Sequence, residues 1–219
     1  VSNDVPIMLL DSTIDEKNLN EILEVYSPSI LAGRDVDGEL SILKFGLKKI
    51  SLMGEEEKEI HPDLTLLLST SGSTGSKKFV RISKKALIEN TKSILEYLPI
   101  SENDVAITTL PMAYTYALSV INTHFKMGAK IVATKFSVLQ REFWTLFTEE
   151  KVSSISGVPY SYEIMIKSGL LKRSLSSLRY ITQAGGNLDT KYKEKLIDYC
   201  AEKNIDFFVM YGQTEATSR

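Results

Sequence analysis

Short strand-like and helical segments alternate through the second half of the chain, and this alternation constrains the fold more than any other feature. The predicted strands are Val105–Leu110, Lys130–Thr134, Ser153–Ser156, Leu178–Gln183 and Asp206–Met210, and the predicted helices cover residues 115–127, 137–150, 159–168 and 189–203. Strands that are joined by crossover helices lie parallel to one another. The sequence therefore predicts an α/β fold in which a mostly parallel sheet is flanked by helices.

The first hundred residues contain similar signals. Ile7–Leu10 predicts a short strand, and residues 13–16 (TIDE) fit a capping box in which the Thr13 hydroxyl caps a helix. Leu64–Ser69 predicts a further strand, and Phe79–Ser83 predicts an extended segment whose last residue caps the next helix. Two segments are less informative: residues 40–53 predict one or two strands, and the charged residues 55–59 predict a solvated turn.

The composition excludes several classes of partner. The chain has 43% hydrophobic and 25% charged residues, a formal net charge of -2 and no run rich in lysine or arginine, so nothing indicates nucleic acid or an anionic membrane. Cys200 is the single cysteine, which excludes an internal disulfide and fits a cytoplasmic location. Residues 105–123 carry no charge and could span a bilayer by length, but Pro111 and their polar side chains favour a strand, a turn and a buried helix.

A hydroxyl- and glycine-rich loop follows the strand predicted at Leu64–Ser69. Its residues are Thr70, Ser71, Gly72, Ser73, Thr74, Gly75, Ser76, Lys77 and Lys78. The glycines let backbone amides turn toward an anion, the hydroxyls add donors and the lysines add positive charge, so the loop predicts a cradle for phosphates. It is not a Walker loop, because Lys77 stands where that motif has its second glycine and a strand follows. A flexible serine–glycine hairpin is the alternative interpretation.

A second motif lies near the end of the chain. It consists of Tyr211, Gly212, Gln213, Thr214 and Glu215. Glu215 is a hard oxygen ligand suited to Mg²⁺, the Thr214 hydroxyl can donate to a phosphate, and Tyr211 offers a flat face for adenine. Taken alone, the motif is more simply a strand-end turn with a surface glutamate. Together with the loop at residues 70–78, it indicates an enzyme that activates a carboxylate with ATP.

Four turns follow predicted strands and share a position in the predicted sheet. They are Pro111–Tyr114, Gly157–Pro159, Gly185–Asn187 and Tyr211–Glu215. In open α/β sheets, ligands bind just beyond the carboxyl ends of the strands. We therefore expect these turns, although far apart in sequence, to line one cleft.

These motifs together resemble the adenylate-forming (AMP-binding) superfamily, in particular its acyl- and aryl-CoA synthetase-like branch. Residues 70–78 match its phosphate loop except that Lys77 replaces the usual proline, and residues 211–215 match its Y-G-x-T-E motif throughout. Residues 110–118 resemble the segment that gates the carboxylate, with Tyr114 in the gating place. Residues 183–188 resemble the adenine-side turn, although Asn187 replaces a frequent proline.

The resemblance implies that the chain is part of the large N-terminal domain of such an enzyme. Residues 1–62 would be a remnant of its first α/β subdomain, and residues 63–219 would be the ATP/AMP-binding subdomain with the phosphate loop at 70–78. The start of the N-terminal domain and the whole C-terminal domain, with its adenylation lysine, are expected to be absent. The isolated chain is therefore expected to bind nucleotide weakly and not to turn over.

The resemblance also implies a two-step reaction. A carboxylate attacks the α-phosphorus of Mg-ATP, and a thiol from CoA or from the phosphopantetheine of an acyl-carrier protein then displaces AMP. By resemblance, Lys78 and its loop hold the leaving pyrophosphate, Thr214 orients the α-phosphate and Glu215 holds Mg²⁺. The residues implied in binding the nucleotide are Thr70, Ser71, Gly72, Ser73, Thr74, Gly75, Gly185, Gly186, Asn187, Tyr211, Gly212 and Gln213.

The segment after Pro111 bears on the class of acid. Amino-acid-activating relatives place an aspartate there to pair with the substrate ammonium, whereas residues 112–118 contain no acidic side chain. A plain carboxylic acid is therefore favoured, with Tyr114, Gly157 and Val158 in the substrate pocket and Tyr116 in the core. The alternatives are an amino-acid-activating or carrier-loading domain and a non-catalytic nucleotide-binding module.

The two histidines are isolated in the sequence. Neither His61 nor His124 has a cysteine or histidine partner at the spacing of metal ligands. Both are therefore predicted to be structural.

Overall fold

The architecture is that of a computed structural model, which describes residues 5–11, 13–26, 28, 60–70 and 78–217. The strands predicted at residues 40–53, the turn predicted at residues 55–59 and the loop residues 71–77 lie outside the described residues. Within the described part of the chain, strands and helices alternate as the sequence predicts.

The helices and strands have the following bounds. The strands are β1 (Ile7–Leu9), β2 (Leu64–Ser69), β3 (Phe79–Ser83), β4 (Val105–Thr108), β5 (Lys130–Ala133), β6 (Ser154–Gly157), β7 (Tyr180–Gln183) and β8 (Asp206–Val209). The α-helices are α1 (Glu16–Tyr26), α2 (Lys84–Tyr97), α3 (Thr115–Met127), α4 (Arg141–Glu149), α5 (Pro159–Lys167) and α6 (Thr190–Lys203). Two short 3₁₀ helices cover Leu170–Lys172 and Thr214–Ala216.

The larger sheet has five strands in the order β5-β4-β6-β7-β8, and every neighbouring pair is parallel. This confirms the predicted α/β fold with a parallel sheet flanked by helices. From β4 the chain continues to β5 on one side, whereas β6 lies on the other side of β4. Such a reversal is a topological switch point, at which ligands of open α/β sheets bind. The fold therefore places a crevice beyond the carboxyl ends of β4 and β6.

A smaller sheet has the order β1-β2-β3. β1 pairs with β2 in parallel, and β2 pairs with β3 in antiparallel orientation with Ser69 opposite Phe79. The loop that begins at Thr70 and ends at Lys78 therefore closes a β-hairpin. This geometry confirms that the loop is not a Walker loop, which would connect a strand to a helix.

The start of α1 differs from its prediction. The backbone amide of Asn18 donates to Asp15 Oδ1 at 2.8 Å, whereas the Thr13 hydroxyl donates to Asp11 Oδ1 at 2.6 Å. The predicted capping box is therefore wrong: Asp15 caps the helix, because a carboxylate placed directly before Glu16 reaches the first free amides. At α2 the prediction is confirmed, since Ser83 Oγ accepts from the backbone amide of Ala86 at 3.2 Å.

The main core lies between the large sheet and the helices α4, α5 and α6. In α6, helical spacing predicts an inner face that consists of Tyr192, Leu196, Ile197 and Cys200. Tyr192, Leu196 and Cys200 are buried, but Ile197 is 50% exposed and Tyr199 is buried in its place. Helical spacing identifies most of the inner face of α6, and Tyr199 at its margin is covered where its hydroxyl donates to the Arg173 carbonyl at 3.2 Å. Burial raises the pKa of Cys200 to about 11, so this thiol is protonated at neutral pH.

Two tyrosines anchor helices to one backbone carbonyl of β7. Tyr116 Oη on α3 donates to the Thr182 carbonyl at 2.8 Å, and Tyr162 Oη on α5 donates to the same carbonyl at 2.7 Å. Tyr116 is 4% exposed, which confirms its assignment to the core. Residues 105–123 form β4, a turn and part of α3, and no helix among the described residues is long and apolar enough to cross a membrane.

A buried carboxylate ties together three strands at the opposite, amino-terminal edge of the large sheet. Asp104 precedes β4 and is buried; it accepts hydrogen bonds from the Ser153 hydroxyl at 2.6 Å and from Arg179 Nη1 at 2.6 and 2.7 Å. The Ser101 backbone amide donates to it at 2.7 Å. Burial would raise the pKa of Asp104, but these hydrogen bonds outweigh burial and lower its pKa.

We predict that Asp104→Ala lowers the free energy of unfolding by about 3 kcal/mol, because it leaves buried donors without an acceptor. Since the folded pKa is depressed below the ordinary value of 3.8, the contribution of Asp104 is present above that pH and is lost as pH falls through the folded pKa. Urea denaturation between pH 2 and pH 7 measures both effects, with the exposed neighbour Glu102→Ala as the control. If the free energy of unfolding of Asp104→Ala fell at acidic pH as steeply as that of the wild type, Asp104 would not be the source of the pH dependence.

Candidate functional site

The carboxyl edge of the large sheet brings together the four turns that were predicted to line one cleft. β4, β6, β7 and β8 end at Thr108, Gly157, Gln183 and Val209, and each strand is followed directly by one of those turns. The strands occur in this same order across the sheet. Turns that are up to a hundred residues apart in sequence therefore lie side by side along one edge.

The glycine turn after β7 is closely packed against the other turns. Gly185 and Gly186 have φ angles of +82° and +152°, a region that residues with side chains rarely adopt. A methyl group at Gly185 would lie 2.3 Å from Tyr114 Oη and 3.1 Å from Val158 Cγ1, and one at Gly186 would lie 3.4 Å from Pro159 Cγ. The residues predicted for the nucleotide are thus in contact with those predicted for the acid.

Tyr114 directly precedes α3 and stands between the turns. Its ring packs edge-on against Tyr116 with 6.2 Å between the ring centroids, and it is partly buried. Burial raises the pKa of the Tyr114 phenol, so the hydroxyl is neutral at physiological pH and can donate a hydrogen bond. This position suits the predicted gating place in the crevice.

A hydrogen bond joins the start of α3 to the second motif. Thr115 Oγ1 donates to Thr214 Oγ1 at 3.1 Å, across 99 residues of chain. Thr115 is buried, and no sequence pattern singled it out, because it lies outside both the loop at residues 70–78 and the motif at residues 211–215. The contact places the 3₁₀ helix Thr214–Ala216 beside the amino terminus of α3.

Tyr211 and Glu215 lie on the open side of the edge. Tyr211 is 83% exposed, so its ring is available for stacking, and Glu215 is exposed and forms no ion pair with another described residue. No group of three or more His, Cys, Asp or Glu side chains that could hold a metal occurs within the described residues.

The two ends of the phosphate loop lie in the described part of the chain. Thr70 and Lys78 directly flank the paired residues Ser69 and Phe79, and both are exposed. β3 lies beside the 3₁₀ helix Thr214–Ala216, which brings the Lys78 end of the loop toward the second motif. Residues 71–77 lie outside the described residues, so their role remains a prediction.

A cavity of about 270 Å³ lies near the same edge but is not the predicted pocket. It is lined by Thr109, residues 134–138 and three residues of α5, namely Tyr160, Ser161 and Ile164. None of Tyr114, Gly157 and Val158 contributes to its lining. The substrate pocket therefore stays a prediction that rests on the packing of Tyr114 and Val158 around Gly185.

The histidines have the contacts of structural residues. His124 is buried, with Nδ1 2.7 Å from the Val120 carbonyl and Nε2 3.0 Å from Tyr180 Oη, and burial lowers its pKa. His61 is exposed, and its Nδ1 accepts from the backbone amide of Asp63 at 3.2 Å. These contacts agree with the prediction that both histidines are structural.

A sequence model of the family "AMP-binding enzyme" matches residues 6–218 of the chain. Given this match over nearly the whole chain, together with the parallel sheet and the four turns at its edge, the protein belongs to the AMP-binding enzyme family. The resemblance inferred from the motifs is thereby confirmed.

Relatives with named activities are similar to parts of the chain. The beta-alanine-activating enzyme of Homo sapiens is 28% identical over 83% of this chain and 18% of its own length. The indoleacetate–CoA ligase of Aromatoleum aromaticum is 29% identical over 73% of this chain and 31% of its own. The chain thus spans less than a third of the length of these two curated relatives.

A solved structure has the same architecture. The o-succinylbenzoate CoA synthetase of Bacillus subtilis, in complex with an acyl-adenylate intermediate, superposes with a TM-score of 0.72. The two are 26% identical, and the match covers 98% of this chain and 57% of the other. The fold is therefore that of the N-terminal domain of an adenylate-forming enzyme.

We predict that Gly185→Ala destabilises the protein by about 1–3 kcal/mol. The new methyl group would clash with Tyr114 Oη, and the alanine backbone would have to adopt an unfavourable φ of +82°. Gly128→Ala is the matched control, since Gly128 has φ +75° but no atom within 4 Å of the added methyl. Adding Tyr114→Phe to Gly185→Ala should recover the steric part of the loss in urea denaturation. Equal losses in the two alanine variants would show that the close packing at Gly185 is absent.

Proposed function

We propose that the protein activates a carboxylic acid as its acyl-adenylate and then passes the acyl group to a thiol. The observation that carries the proposal is the packing of Tyr114 and Val158 against Gly185, which joins the predicted acid and nucleotide sites in one crevice. Family membership and the names of the relatives, several of which are CoA ligases, support the same reaction. ATP and CoA are the corresponding substrates.

The first step must bring one anion into contact with another. Hydrogen-bond donors and cations must therefore neutralise the phosphates without binding the attacking carboxylate. We assign the Thr214 hydroxyl to the α-phosphate, and the loop amides with Lys78 to the leaving pyrophosphate. Glu215 would hold Mg²⁺, which when bound neutralises the phosphate charge. Tyr211 would stack on adenine beside the Gly185–Asn187 turn.

The segment predicted to face the acid carries no carboxylate. Residues 112–118 contain no acidic side chain, and of the predicted pocket residues Tyr114, Gly157 and Val158, the side chains of Tyr114 and Val158 pack against Gly185. A substrate ammonium would be left without a partner there, so the site favours an acyl or aryl acid. The name of the human relative, a beta-alanine-activating enzyme, supports the alternative of an amino acid substrate.

The acyl acceptor is CoA in this proposal, with the phosphopantetheine of a carrier protein as the alternative. The CoA ligases among the relatives favour CoA, whereas similarity to the synthase for the peptide mycosubtilin favours a carrier protein. A cytoplasmic location fits the single cysteine, Cys200, which is buried.

We predict that Glu215→Gln slows adenylate formation by on the order of 100-fold, since a neutral amide is a poor ligand for Mg²⁺. ATP–pyrophosphate exchange by the full-length protein measures the effect. The control is Glu202→Gln, an exposed glutamate on α6 away from the crevice. Exchange at the wild-type rate in Glu215→Gln would remove Glu215 from the metal site.

We further predict that exchange depends on aliphatic or aromatic acids and not on their α-amino counterparts. A panel of matched pairs, each an acid with and without the amino group, isolates the effect of the ammonium. Faster exchange with the amino member would show that a cationic substrate is accepted, and would favour the amino-acid-activating alternative. No exchange with any acid, in a folded protein that binds ATP, would favour the non-catalytic nucleotide-binding module.

A further inference from the structure

One buried amide at the carboxyl edge of the sheet is only half satisfied. Gln183 is the last residue of β7 and is 0% exposed. Its Nε2 donates to the Gly186 carbonyl at 2.9 Å, whereas its Oε1 is buried without a hydrogen-bond partner. A buried acceptor that lacks a partner costs about 1–3 kcal/mol, a cost that an apolar side chain of the same shape would avoid. The Gln183 amide therefore carries an energetic cost at Oε1, and its one hydrogen bond in return is the bond from Nε2 to the Gly186 carbonyl.

The hydrogen bond from Gln183 holds the second glycine of the turn, Gly186. Tyr114 Oη and Val158 Cγ1 pack against Gly185, so side-chain contacts hold the first glycine of the turn. A methyl group added at Gly186 would meet only Pro159, at 3.4 Å, so side chains hold this glycine less closely than Gly185. Glycine can also adopt many φ values besides the +152° found here, so its conformation needs another restraint. The hydrogen bond from Gln183 restrains the peptide plane of Gly186 and with it the backbone edge that faces the crevice.

We propose that Gln183 is a positioning residue for nucleotide binding: through Gly186 it holds the backbone of the glycine turn in the orientation that receives the base. This inference rests on the proposed function, which places adenine beside Gly185 and Gly186. Gln183 itself has no exposed surface and so acts through the turn and not by contact with the ligand. A restrained turn binds the base without first losing conformational freedom.

The test compares two ligands that use different parts of the site. AMP carries the base, whereas inorganic tripolyphosphate can use only the phosphate loop and its cations. In isothermal titration, Gln183→Met should weaken AMP binding about tenfold, the effect of one lost hydrogen bond, and should leave tripolyphosphate binding unchanged. Equal AMP affinities in the wild type and Gln183→Met would overturn the inference and leave the proposed function intact.

The matched control is Gln140→Met. The Gln140 side chain also binds backbone, since its Oε1 accepts from the Ser137 amide at 2.6 Å, but it lies before α4 and away from the glycine turn. This control should bind both ligands as the wild type does. If Gln140→Met lost AMP binding to the same extent, the loss in Gln183→Met would reflect a general effect of the substitution, and the inference would fail.

A second variant separates positioning from loss of folding. In Gln183→Glu the side chain has the same shape, and only its protonated form can donate to the Gly186 carbonyl. Its AMP affinity, relative to the wild type at each pH, should rise as pH falls through the pKa of the new carboxyl. A weakened affinity that stays constant from pH 5 to pH 9 would overturn the inference. Absence of AMP binding by the wild type, with tripolyphosphate still bound, would overturn the assignment of the base site as well.

Discussion

The common direction of the five strands in the large sheet determines where chemistry can occur. Because β4, β6, β7 and β8 are parallel neighbours, backbone hydrogen bonding aligns their carboxyl ends along one edge. The crossover helices then return each connection to the other edge, so only turns occupy the carboxyl side. The four turns therefore lie side by side, although no two of them are close in sequence.

The backbone carbonyl of Thr182 in β7 fixes two helices relative to the sheet. Tyr116 and Tyr162 donate to it from α3 and α5, within 2.8 Å. Each helix begins directly after a wall of the crevice, α3 after Tyr114 and α5 after Val158. A tyrosine in the first turn of each helix therefore fixes the residue that precedes the helix, Tyr114 or Val158, relative to β7. Both residues pack against Gly185 in the turn that follows β7. The packing is tight enough that a single methyl group at Gly185 would not fit.

The sequence alone predicts the architecture and the edge of the sheet on which the four turns lie, because both follow from periodicity and from turns placed after strands. The sequence does not predict features that depend on contacts between residues far apart in the chain, or on the exact start of a helix. The cap of α1 is Asp15 and not Thr13, since the exact start of a helix is set by which carboxylate meets the free amides. The bond between Thr115 and Thr214 and the buried amide of Gln183 join positions whose proximity no local pattern contains. Their side chains could be recognised only after the strands were placed in order.

The proposed site separates a neutral side from a charged side. The base would meet the glycine backbone and the ring of Tyr211, neither of which carries a charge. The phosphates would meet Lys78 and Thr214, but also the carboxylate of Glu215, which repels them unless a cation lies between. An exposed carboxylate beside a phosphate cradle therefore has a function only together with a divalent ion. A module that bound only the base would not need this carboxylate, so the Thr214–Glu215 pair favours a site that binds phosphates together with a cation.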